Sequence, residues 1–154
     1  MGTIAAARRR KGHRGLPMEG PIARWYSRTT GRDMEQYRRL AATLAGRLGP
    51  GAEVLEVAPG PGYLAVELAG LGSFRVTGLD ISRTFVGIAT ENAARAGVAV
   101  EFVQGDVAAM PFGPDSFDLA VCRAAFKNFP EPVRALDRAN ARVSQILVLQ
   151  GFAI

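Results

Sequence analysis

Two glycines flanked by acids carry the chemistry of this chain. In Val54-Leu55-Glu56-Val57-Ala58-Pro59-Gly60-Pro61-Gly62 an apolar run ends in a Gly/Pro turn, and a helical pattern follows at once. Gly60 and Gly62 carry no side chain, so a ligand can lie against the main chain there. Backbone N–H groups and the start of the helix then face it. Glu56 brings an acid to the end of the same strand. Asp80 closes the next apolar run, 76–80, with Ile81 after it. A carboxylate in that position can accept hydrogen bonds from both hydroxyls of a ribose, or serve as a helix N-cap. Gly105-Asp106-Val107 follows the third apolar run. Asp106 can accept a bond from an adenine amino group with Val107 covering the base, or act as a turn aspartate. Together these residues describe a nucleotide-cofactor binder.

The elements that must position them follow from the periodicity. Residues 21–31 read as a short helix with Trp25 and Tyr26. Asp33 is an N-cap candidate for an amphipathic helix over 34–48, with Tyr37, Leu40, Ala41, Leu44 and Leu48 on one side. Gly49-Pro50-Gly51 ends it. Strands are predicted over 53–58, 74–80, 98–103, 117–122 and, short, 146–149. Helices are predicted over 62–71, 83–96 and 131–143. Strands alternating with helices imply right-handed βαβ units. The fold class is therefore α/β, a Rossmann-like, doubly wound, mostly parallel sheet of about five strands with flanking helices.

A chain of 154 residues suits one domain, and 48% hydrophobic residues exclude a disordered polymer. One cysteine and one histidine cannot build a disulfide framework, a Ser/His/Asp set or a Cys-based zinc site, so no metal is expected. No apolar run approaches the roughly 20 residues that span a bilayer, and the start does not read as a secretory signal. The arginines of the first 18 residues faintly resemble a transit peptide, but a cytoplasmic location is the expectation. Charge is uneven: residues 1–50 carry 11 Lys+Arg against 3 Asp+Glu, and residues 51–154 carry 8 against 11. Residues 1–20 thus read as a basic flexible arm. Its Arg8-Arg9-Arg10-Lys11 run could touch nucleic acid or anionic lipid, or simply be solvated. Cys122, ending an apolar strand, reads as a buried thiol, and Asp118 as structural.

These segments, in this order, resemble a class I S-adenosylmethionine-dependent methyltransferase of the small-molecule type. The resemblance covers about residues 50–137, the cofactor core of one domain over 21–154. It rests on the 54–62 motif, on Asp80, on Gly105-Asp106, and on Ala109-Met110-Pro111-Phe112 followed by Ser116-Phe117-Asp118. Leu16-Pro17-Met18-Glu19-Gly20 with Trp25-Tyr26 also resembles the N-terminal region of a bacterial branch of such enzymes. The resemblance implies S-adenosyl-L-methionine as cofactor. It places Glu56 near the methionine end, Ala58, Gly60 and Gly62 against the cofactor, Asp80 and Ile81 at the ribose, Asp106 and Val107 at the adenine, and Cys122 beside the site. Phe126, Asn128 and Phe129 could line an acceptor pocket or belong to the core. No catalytic base is required. An Asn/Asp-Pro-Pro-Tyr signature is absent after strand four, which tilts the acceptor toward a small molecule and away from nucleic acid.

Two departures stand out. Ala58 occupies the first glycine position of the motif. Beyond Leu136 no Pro-Gly-Gly-like turn is present, and the last antiparallel strand pair of the family is missing, so the chain reads as truncated with an exposed sheet edge that invites self-association. That motivates an alternative, a non-catalytic remnant that binds cofactor or a partner. A second alternative is an NAD/FAD-binding Rossmann protein, since Gly60-Pro61-Gly62-Tyr63-Leu64-Ala65 satisfies G-x-G-x-x-G/A and Asp80 lies 18 residues past Gly62. A third is RNA binding through the basic arm.

Overall fold

A computed structural model describes residues 18–123 and the backbone of one further strand at 143–149. Helix α1 (Gly20–Thr30) and helix α2 (Met34–Ala45) precede the sheet. Then β1 (Glu53–Val57), α3 (Tyr63–Gly70), β2 (Arg75–Asp80), α4 (Arg83–Ala96) and β3 (Val100–Gln104) alternate. A 3-10 turn at Val107–Ala109 leads to β4 (Phe117–Arg123), and β5 is Val143–Leu149. The sheet has five strands in the order β3-β2-β1-β4-β5, and every pair is parallel. This is the doubly wound α/β arrangement expected. The order reverses between β1 and β4, and ligands of such sheets bind outside the carboxyl ends of the strands at that reversal.

The buried faces show why these residues form these elements. On one face of the sheet Leu55, Val57, Leu79, Ala120 and Cys122 pack with Val107, Met110 and Phe117. On the other, Val54, Val76, Leu119 and Val121 meet Tyr37, Leu40, Ala41 and Leu44 of α2 and Leu64, Ala65 and Leu68 of α3. The alternation along β1 places Glu56 on the α2/α3 side, among apolar residues. Gly62 has φ +78, and a Cβ there would stand 2.7 Å from Phe102 and 2.8 Å from Ala89. A side chain would therefore push α3 off β3 and α4.

The sequence reading differs from the structure at several ends. β5 begins at Val143, where a helix over 131–143 and a strand from 146 were expected; the remainder of that helix lies outside the described residues. Parallel pairing with β4 from Phe117↔Val143 explains the longer strand. Asp33 stands at the N-cap of α2 without a side-chain capping bond. The flexible arm was also drawn too long, because residues 18–20 are bonded to α4.

Candidate cofactor site

The turn between β1 and α3 is held from several sides. Ala58 N–H donates to Leu79 O at 2.8 Å, and Gly62 N–H to Pro59 O at 3.0 Å. Asn92 of α4 donates through Nδ2 to Pro61 O at 2.9 Å. Gly60 N–H donates to Asp80 Oδ2 at 3.0 Å, and Ser82 N–H to Asp80 Oδ1 at 2.8 Å. Buried Asp80 thus ties the turn after β1 to the start of α4. The backbone N–H groups of 58, 60 and 62 are spent inside the protein, so the turn offers a ligand close approach rather than a row of donors. At Gly60, with φ +56, the nearest atom a Cβ would meet is Tyr26 Cε1 at 4.0 Å. The space over Gly60 lies between the turn and α1.

Glu56 lies beside that turn, and only 4% of it is exposed. The Ala65 backbone N–H in the first turn of α3 favours its charged form. Gly62, at the N-cap of α3, has no side chain that could cap the helix. Oε2 is buried and has no hydrogen-bond partner among the described residues. Burial pushes the Glu56 pKa up to about 8, against the opposing pull of the Ala65 N–H and of Arg123. A buried acceptor without a partner is costly, and a cationic or donor group of a ligand would satisfy it.

Aromatic residues roof the site. Tyr26 of α1 stands against Phe85 edge-on, with centroids 5.8 Å apart, and burial raises its hydroxyl pKa. Tyr63 donates to Ser27 O at 2.8 Å and packs on Tyr37 at 5.5 Å. Arg123, at the end of β4, lies 4.5 Å over the Tyr37 ring. Arg123 and Tyr63 were not singled out by sequence. An arginine directly after the apolar run 119–122 was the available signal, because a cation ending a buried strand needs a partner there.

On the other side Asp106 Oδ1 accepts from Ala108 N–H at 2.8 Å and so opens the 3-10 turn; Val107 is buried. Cys122 is a buried thiol in the core cluster, paired in register with Val57. Ile81 is partly buried beside Asp80. Asp118 accepts from Glu53 N–H at 2.8 Å, a structural tie between β4 and β1. Glu56, Ala58, Gly60, Asp80, Ile81, Asp106 and Cys122 therefore gather at the carboxyl ends of the strands. Gly62 is turned inward against Phe102. Phe126, Asn128 and Phe129 lie outside the described residues, as does the Arg8–Lys11 run. Among the described residues no cluster of His, Cys, Asp and Glu could hold a metal ion.

A family profile described as a methyltransferase domain matches residues 54–148. The chain is 37% identical over 111 residues to a demethylmenaquinone methyltransferase of Mycobacterium tuberculosis, covering 72% of this chain and 44% of that protein. It is 41% identical over 88 residues to a ribosomal protein L11 methyltransferase of Thermus thermophilus, covering 56% of this chain and 34% of that protein. Among solved structures, a protein from Methanococcus maripaludis assigned to the S-adenosyl-L-methionine-dependent methyltransferases superposes with TM-score 0.83 at 22% identity, over 90% of this chain and 66% of that one. The [4+2]-cyclase SpnF superposes with TM-score 0.65 at 28% identity, over 69% and 41%. The chain spans less than half the length of either of these two curated relatives. The order of the segments, the parallel sheet and the matched profile agree: the chain belongs to the class I S-adenosylmethionine-dependent methyltransferases.

Proposed function

We propose that the site binds S-adenosyl-L-methionine and supports methyl transfer to a small-molecule acceptor in the cytoplasm. The observation that carries the reading is the buried Oε2 of Glu56, without a hydrogen-bond partner among the described residues, on the strand that leads into the Gly60 turn. It fits a cofactor that carries an ammonium and a sulfonium. Glu56 would take the methionine end, Asp80 with Ile81 the ribose, and Asp106 with Val107 the adenine. When bound, the cofactor supplies an electrophilic methyl group for in-line displacement. The work of this chain is to orient it, exclude water with Tyr26 and Tyr63, and hold the acceptor; no proton-transfer group is required. Phe126, Asn128 and Phe129, directly after β4 in sequence, are the proposed acceptor side.

A second reading keeps the site and drops the methyl transfer. SpnF, at 28% identity, is a cyclase by title, so this fold also serves a reaction of another kind. The first experiment is calorimetric titration with S-adenosylhomocysteine, with NAD as control. A Kd on the order of micromolar, about −8 kcal/mol, for S-adenosylhomocysteine alone supports the cofactor. Binding of NAD instead, or of neither by folded protein, overturns it. Transfer of a labelled methyl group from S-adenosylmethionine to a demethylated quinol then separates the two readings, because only the first requires it.

A further inference from the structure

The roof helix has a second face that the site does not use. Among the described residues the two most exposed large hydrophobics are Ile22 at 55% and Trp25 at 66%, ahead of Leu71 at 47%. Both lie on α1, and with Thr29 they follow helical spacing i, i+3, i+7 along one stripe. Arg24 and Arg28, both exposed and four residues apart, line the adjacent stripe. Neither forms an ion pair with another described residue. The inner side of the same helix, Ala23, Tyr26 and Ser27, packs toward the cofactor site. The 17 residues preceding the described chain add four arginines, one lysine and no acid.

We infer that the outer face of α1 is a docking surface for an anionic lipid bilayer. An apolar stripe flanked by cations is the arrangement of a helix that lies in a membrane interface. Tryptophan is favoured at that depth, with its ring among the acyl ends and its N–H at the headgroups. Arg24 and Arg28 lie at the level of lipid phosphates and attract the negative surface. Charge complementarity selects an anionic surface over a neutral one. The mixed Ile/Trp stripe selects a bilayer over nucleic acid, because an aliphatic side chain offers a base nothing to stack on. Docked in this way, the site roof stands within one helix diameter, about 10 Å, of the headgroups. This surface goes beyond the methyl-transfer reading and stands without it, since docking needs no cofactor.

The chain contains one tryptophan, so Trp25 is its own probe. The protein is titrated, without cofactor, with phosphatidylcholine vesicles and with vesicles that also contain phosphatidylglycerol. With the anionic vesicles, Trp25 emission shifts to shorter wavelength, the protein co-floats, and added salt weakens both. Arg24→Gln and Arg28→Gln each weaken partitioning roughly fivefold. Ile22→Ser with Trp25→Ala, followed by flotation, abolishes most of it while circular dichroism stays unchanged. The inference is overturned if emission does not move with anionic vesicles. It is also overturned if these variants float like the parent chain, which would assign binding to the preceding arginines alone. Preference for duplex RNA over vesicles would likewise overturn it.

Discussion

Ala58 is one of two non-glycine residues in the described chain with positive φ, at 54°, and it sits where the family motif has its first glycine. An alanine held in the left-handed region is disfavoured by about 1–2 kcal/mol. Its methyl, partly buried against the core below the turn, offsets less than about 0.8 kcal/mol of that. The backbone term wins. Ala58→Gly is therefore expected to stabilise the protein by up to about 1 kcal/mol, read as a higher urea midpoint with an unchanged slope. An unchanged or lower midpoint would show that the methyl contact dominates. The sequence marked Ala58 as a departure, but not its cost: residue type is written in the chain, whereas φ is set by the folded turn, where Ala58 N–H bonds to Leu79 O.

At the scale of elements, the N-terminus of α4 shows how distant chain segments lock the site. Arg83 and Thr84 donate their N–H groups to Glu19 at 2.9 and 3.0 Å, the Thr84 hydroxyl donates to the same carboxylate, and Phe85 N–H donates to Ser82 Oγ at 3.1 Å. Ser82 in turn donates to Met18 O at 2.8 Å. The free donors of the first turn are thus filled largely by a residue 64 positions away. These bonds hold the Glu19 pKa below the usual carboxylate range, the Thr84 hydroxyl most strongly, so the contribution is present at neutral pH and lost as pH falls through the lowered value. Glu19→Ala is expected to cost about 1 kcal/mol and to speed hydrogen exchange across α1 while leaving β1 and β2 unchanged. Equal exchange in both proteins would mean that Glu19 does not anchor the helix. Periodicity revealed α4 over 83–96, because that signal is local. Nothing local in Met18-Glu19-Gly20 reveals that it caps a helix 64 residues on, and it was read as flexible arm for that reason. β5 was shortened for the same cause, since its extent is set by pairing with β4 rather than by its own composition.

The pH dependence of folding is a property of the whole molecule, because only global unfolding returns Glu56 to water. It lies on the strand that separates β2 from β4, at the centre of a five-stranded sheet, with α2 and α3 covering its face. Local opening of α1 or of a sheet edge leaves it buried. The carboxyl is an ordinary one in the unfolded chain, near 4.5, and is raised to about 8 by burial in the fold. A raised carboxyl binds its proton more tightly when folded. Its contribution is complete below the unfolded value and is lost as pH climbs from there through about 8. Between those limits the unfolded chain releases a proton that the folded one keeps, so stability falls by about 1.4 kcal/mol per pH unit at most. Denaturant midpoints at successive pH values should therefore decline toward neutrality. Glu56→Gln, which keeps the shape of the side chain without a titrating charge, should flatten that decline and make the variant the more stable protein near pH 8. A bound cation at Oε2 favours the carboxylate, so S-adenosylhomocysteine, which retains the ammonium, should also flatten the parent's slope and leave the variant's unmoved. A parent profile already flat across this window would mean that Glu56 keeps its charge inside the sheet, with Arg123 as its counter-ion.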